Sequence, residues 1–120
     1  MAPLGFAKRL RLLKPSEFDR VMRARTSAVD GRLRMYGVAN ELGHPRLGLT
    51  VSRRVGNSVV RNRWKRALRE AFRLVQHDLP AFDLVCIPHR NVEPNVARLQ
   101  ESLSKLARRI DEQLGRRRDR

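Results

Sequence analysis

The segment from Ser58 to Gln76, SVVRNRWKRALREAFRLVQ, reads as one amphipathic helix, and everything else in the chain has to be arranged around it. Set ~100° apart on a wheel, Val60, Trp64, Ala67, Leu68, Ala71, Phe72, Leu74 and Val75 gather on one face, which must be packed into a core. Arg61, Lys65, Arg69 and Arg73 recur every fourth residue with Arg63 and Arg66 beside them, and the opposite face carries this charge. Between Arg54 and Arg73 the only acid is Glu70. A solvated helix normally intersperses acids for pairing, so these cations repel one another unless a polyanion relieves them.

The rest of the composition points the same way. Across 120 residues, 27 Lys and Arg face 12 Asp and Glu, a formal net charge of +15. So large an imbalance implies a polyanionic partner, and nucleic acid is the leading one. Arg greatly outnumbers Lys, and guanidinium both forks onto phosphate and stacks on unpaired bases, which favours RNA. The length suits one domain, taken here as residues 1–115. Cys86 is the sole cysteine, so no intramolecular disulfide or Cys-rich zinc framework forms. Its place in the apolar run LVCI predicts a buried, inert thiol, consistent with a reducing cytoplasm. No run approaches the ~20 apolar residues that cross a bilayer, so a soluble, cytoplasmic protein is expected.

Along the chain, Ser16 can cap a short helix whose Phe18, Val21 and Met22 share a side. RLRMYGVAN alternates Leu33, Met35 and Gly37 against Arg34, Tyr36 and Val38, and RLGLTVS follows the punctuation ELGHP, giving two strands, with a third around Thr26 to Val29. FDLVCIP predicts a buried strand ended by Pro88. After Pro94, Val96, Leu99, Leu103, Leu106, Ile110 and Leu114 recur at threes and fours as a final helix. Gly115 is positioned to stop it, leaving 116–120 as a mobile basic tail.

Catalytic chemistry is missing from the pattern. His44, His77 and His89 lie in separate segments without ligand spacing, so no protein metal site is expected. The carboxylates are dispersed, and no close pair is placed to hold two magnesium ions for phosphodiester cleavage. Gly56 and Asn57 precede the basic helix as a tight turn and N-cap, and the same helix start, flanked by Arg53, Arg54 and Arg61, suits one backbone phosphate. It lacks the GK[ST] ending of a nucleotide-hydrolysing loop. A membrane surface is the competing polyanion, but laying Trp64 and its neighbours on lipid would strip a small domain of much of its core.

The order R-V-G-N-x-V-x-R-N-R-x-K-R-x-x-R-E-x-F-R, from Arg54 to Arg73, resembles the signature of the bacterial ribonuclease P protein subunit. The flanks RLGLTVSRR, FDLVCIP and LLKPSEFDRVM agree, so the likeness spans roughly Leu10 to Leu114. It implies an α+β fold, an α-β-β-β-α-β-α sandwich with a central sheet, of a kind shared with a ribosomal protein domain. Its Arg-rich helix would join two parallel strands by a left-handed crossover, against the general right-handed preference.

The resemblance further implies an accessory subunit with no catalytic residue of its own. A large RNA subunit would hold magnesium and hydrolyse the bond that releases the 5′ leader from precursor tRNA, with no organic cofactor. Carried onto this sequence, Arg53, Arg54, Arg61, Asn62, Arg63, Lys65, Arg66 and Arg69 would contact the RNA subunit. Phe18, Met22 and Tyr36 would line a cleft between the first helix and the sheet that takes the single-stranded leader. Stacking there is worth ~1–3 kcal/mol per base and tolerates any sequence. Met22 stands where the family commonly has an aromatic ring, so a softer thioether contact replaces a stack. Plain core packing is the other use open to Phe18 and Met22. Partners would be the catalytic RNA and the leader, with neither membrane nor DNA. A small basic structural ribosomal protein is the alternative.

Overall fold

The computed structural model describes residues 7–118. Its elements are α1 (Pro15–Arg23), β1 (Ser27–Val29), β2 (Leu33–Ala39), β3 (Arg46–Leu49), α2 (Ser58–Val75), β4 (Phe82–Pro88) and α3 (Val96–Arg118). This is the α-β-β-β-α-β-α order expected from the sequence. The strands form one sheet in the order β1-β2-β4-β3. β2 pairs antiparallel with both β1 and β4, while β3 lies parallel to β4, so α2 is the crossover between parallel neighbours.

Period-two alternation divides the side chains between two faces. Leu33 and Met35 of β2, Leu47 of β3 and Phe82, Leu84 and Cys86 of β4 point into the main core. There they meet Trp64, Leu68, Ala71, Phe72 and Val75 of α2 and Leu99, Leu103, Leu106 and Ile110 of α3. Each large apolar side chain fully removed from water here is worth ~1.5–3 kcal/mol, which is what fixes α2 in place. The opposite face is smaller: Leu12, Val21 and Val85 are buried, with Phe18, Met22, Tyr36, Val38 and Ile87 packed around them.

Gly56 and Asn57 set the start of α2. The Asn57 side chain accepts the Val60 N–H at 3.0 Å. Gly56 has φ of +154°, and an added Cβ would lie 2.8 Å from the Val60 Cβ, so only glycine fits. On the edge strand β1, Arg109 and Gln113 of α3 donate to the carbonyls of Val29 and Ser27 at 3.2 and 2.8 Å, covering an edge that would otherwise invite another chain.

Three details differ from the sequence reading. Ser16 lies inside α1; Lys14 is the N-cap position and Pro15 opens the helix, because proline's fixed φ suits the first turn. Glu17 then reaches back to accept the N–H groups of Leu13 and Lys14. Leu74 is exposed, because the buried stripe of α2 is centred on Trp64, Leu68 and Val75 and leaves Leu74 off its margin. Gly115 does not end α3, which continues to Arg118. A glycine stops a helix by adopting positive φ, and among the described glycines only Gly43 and Gly56 have it. Residues 119–120 of the expected tail lie outside the described residues.

Candidate nucleic-acid interface

The cations of α2 do not all stand opposite its core stripe. Asn62 and Arg66 are exposed, but Arg61, Lys65 and Arg69 lie along one flank of the stripe and are partly buried. That flank faces the edge strand β3 and the segment before α1, where a cavity of about 180 Å³ is lined by Arg11, Leu12, Leu13, Phe18, Leu47, Leu49, Lys65 and Arg69. No acid contributes to this lining. Burial, and then the neighbouring Arg11 charge, lower the Arg69 pKa. The Nε of Arg61 is buried without a hydrogen-bond partner. Arg53 and Arg54 are exposed in the turn that leads into α2.

Two cations of the helix are engaged. Arg73 forks onto Glu70, both bonds 2.8 Å, as the sequence spacing allows. Arg63 pairs at 3.2 Å with Glu93 from the β4–α3 loop, an acid that the helix sequence alone does not reveal. The Arg63–Glu93 pair is solvent-exposed, so it costs little to exchange for another anion.

The three residues expected to line a cleft are brought together on the face away from α2. Phe18, Met22 and Tyr36 belong to one cluster, and all are partly buried, so core packing and an open surface are not alternatives here. Val21 is the α1 residue seated fully against the sheet. At 100° per residue, Phe18 and Met22 fall on one side of it and Glu17 and Arg20 on the other. The floor under Phe18 is Gly48, where an added Cβ would lie 2.7 Å from the ring.

The other side of α1 is clamped by charge. Asp83, fully buried on β4, accepts Arg46 Nε and Nη2 at 2.9 and 2.8 Å, Arg20 Nη2 at 2.6 Å and Asn40 Nδ2 at 2.9 Å. Arg46 also donates to Glu17 at 2.9 Å, tying β3, β4 and α1 into one network. Burial alone would raise the Asp83 pKa, but the Arg46, Asn40 and Arg20 hydrogen bonds overcome it and hold the carboxyl below its ordinary range. Its bonds to Asp83, and then to Glu17, push the Arg46 pKa up.

A family model described as "Ribonuclease P" matches residues 6–111. The ribonuclease P protein component of Escherichia coli is 45% identical over 111 residues, covering 91% of this chain and 93% of that protein. The chain belongs to the bacterial ribonuclease P protein family. Its counterpart from Idiomarina loihiensis is 44% identical over 110 residues, covering 89% of this chain and 88% of the other. Among solved structures, the Staphylococcus aureus ribonuclease P protein superposes with a TM-score of 0.71 at 31% identity, over 81% of this chain and 91% of that one. The Thermotoga maritima protein gives 0.69 at 28% identity, over 79% and 96%.

As a ribonuclease P protein it is the RNA-binding, accessory subunit of an endoribonuclease of tRNA processing, and its partners are the ribonuclease P RNA and precursor tRNA. This decides against the ribosomal alternative. Among the described residues no helix is long and apolar enough to cross a membrane. No group of three or more His, Cys, Asp or Glu side chains converges among them either. Burial pushes the Cys86 thiol up to about 12, so it stays protonated and unreactive. Two participants escaped the sequence reading. Arg11 sits in a stretch whose mixed charge and apolar residues have no period, and its bridge to Leu47 of β3 lies beside the α2 cations. Asp83 looked like an ordinary strand residue, although a lone carboxylate inside an apolar strand is a signal that a cation lies opposite.

Proposed function

We propose that the α2 surface, with Arg53, Arg54, Arg61, Asn62, Arg63, Lys65, Arg66 and Arg69, holds the RNA subunit, and that the cleft of Phe18, Met22 and Tyr36 holds the single-stranded 5′ leader. The carrying observation is that the two surfaces adjoin: Lys65 and Arg69 share one acid-free cavity with Phe18. A leader leaving the cleft therefore meets the cations that grip the catalytic RNA, as a subunit bridging enzyme RNA and substrate requires. The magnesium that hydrolyses the phosphodiester bond belongs, on this reading, to the RNA subunit. In support, the two acids of this surface, Glu70 and Glu93, are each engaged by an arginine and do not converge. The protein supplies charge and position, screening phosphate repulsion where metal and substrate assemble.

Replacing Arg61, Arg63 and Arg66 together by alanine tests the assignment. Each phosphate that the variant no longer neutralises flattens the plot of log affinity for the RNA subunit against log salt by ~0.7–0.9. An unchanged slope, in a variant that melts like the wild type, would show the face idle.

A further inference from the structure

The sheet carries one more cation on the cleft side that the assignments above leave unused. In β2, Arg34 lies two residues before Tyr36, and the alternation of that strand puts Arg34, Tyr36 and Val38 on the same face. In register, Arg34 stands directly between Val29 of β1 and Ile87 of β4. Directly opposite residues on neighbouring strands have Cβ atoms ~4.5–5.5 Å apart, so the three make a continuous row across the sheet. Ile87 packs against the Val21 cluster, but the Val29 and Arg34 end of this row is left open: the polar flank of α1 is tied to Asp83 and Arg46 at the other end of the strands, and its Phe18 rests on Gly48. Val29 is accordingly 40% exposed and Arg34 is exposed.

The charge of Arg34 is also unspent. Glu17, Arg20, Arg46 and Asp83, the other ionic groups that α1, β3 and β4 bring to the covered part of this face, are bound to one another. Arg34 makes no ion pair with an acid among the described residues, and Asp30 in the adjoining turn is taken by Lys105 and Ser102. The result is an apolar strip with a single free guanidinium, one side-chain repeat beyond Tyr36. That combination fits a single strand of RNA: bases lie on the apolar surface and a phosphate meets the cation.

We infer that Arg34 is a leader-binding residue that extends the cleft beyond Tyr36 and makes affinity depend on leader length. This rests on the cleft reading proposed above. A leader that ends at Tyr36 does not reach Arg34; a longer one adds a charge-assisted contact to one of its phosphates. The contact reads no base and so discriminates by length rather than by sequence.

The test uses the holoenzyme reconstituted with its RNA subunit, and precursor tRNAs whose leaders differ only in length. Affinity is measured over a range of salt for wild type, Arg34→Gln and Arg34→Lys. The expected result is a several-fold loss for Arg34→Gln confined to the longer leaders, with its salt slope lower by ~0.7, the value for one single-strand phosphate. Arg34→Lys keeps the slope, and affinity for the RNA subunit alone does not change. Equal losses on short and long leaders, or no loss on either, overturn the role of Arg34 while leaving the cleft assignment standing. A wild-type holoenzyme indifferent to leader length overturns both.

Discussion

Replacing Asp83 by asparagine removes one charge and almost no volume from the joint that holds α1 over the sheet. The carboxylate accepts four hydrogen bonds, two at each oxygen. An amide offers one oxygen and one NH2 group, so in either orientation two of the four become donor-to-donor contacts. Turning the Asn40 amide does not rescue the geometry, because its oxygen already accepts the Leu42 N–H and its nitrogen donates to the His44 carbonyl. Hydrogen bonds to a charged group are worth ~1.5–3 kcal/mol each, and breaking a buried pair from one side typically costs ~3–5 kcal/mol. Against a total of ~5–15 kcal/mol this leaves a folded but weakened protein. At ~4–8 °C per kcal/mol for a domain near this size, the expected fall in Tm is at least ~12 °C. Thermal unfolding followed by the fluorescence of Trp64, the chain's one tryptophan and fully buried, reads it directly. Replacing Asp83 by leucine together with Arg46 by methionine should recover part of the loss, because the buried cation goes with its partner. A fall of less than ~4 °C for Asp83→Asn would refute the claim that this network carries α1.

Acid should weaken the same joint and, separately, the tie of Asp30 to α3. The N–H groups of Lys14 and Leu13 lower Glu17; at Asp83 the hydrogen bonds of Arg46, Asn40 and Arg20 outweigh burial; at Asp30 those of Ser102, the Arg32 and Leu33 N–H groups and Lys105 outweigh it. A carboxyl whose folded pKa lies below its unfolded value contributes stability above the unfolded value, ~4, and loses it as pH falls through the folded one. Tm should therefore be flat above about pH 5 and drop below about pH 4; an unchanged Tm at pH 3 would count against the network. At the far end of α3, Gly115→Ala should stabilise by ~0.5–1 kcal/mol, because the site is helical and a Cβ there meets nothing within 4 Å. Loss of stability in that variant would instead mark Gly115 as a helix stop.

Much of the fold was legible because its two periods are clean. β2 alternates and β4 is a short apolar run, while α3 keeps threes and fours from Val96 to Ile110, and each of these became the element expected. The errors fall where a local signal had to compete with packing. Ser16 has the right side chain for a cap, but Pro15 before it had already fixed the backbone of the first turn. Leu74 fits the wheel drawn from α2 alone and fails once α3 and the sheet choose which angle to cover. The same blindness affected the site: Arg61 stands on the wheel between Leu68 and Phe72, at the margin of the stripe, but Lys65 and Arg69 fall beyond it, and β3 and the segment before α1 close over them. Burial of this kind depends on segments distant in sequence, and no periodicity in α2 encodes it.

The two faces of the sheet solve opposite electrostatic problems. Beneath α1 every strong charge has a partner, so the clamp is indifferent to what occupies the cleft and needs no ligand to be stable. Along α2 the reverse holds: Arg61, Lys65 and Arg69 are drawn towards the core by the helix that carries them, and burial, with the neighbouring Arg11 charge, lowers the Arg69 pKa. Folding therefore works against charge repulsion on that flank, and an RNA phosphate placed beside it removes the opposition. Whatever binds the folded form alone stabilises it by mass action, so on the proposed assignment of α2 to the RNA subunit, RNA binding and folding of α2 would draw on one free energy. A sequence that kept Asp83 clamped but interspersed acids among these arginines would fold more readily by itself and hold RNA less well.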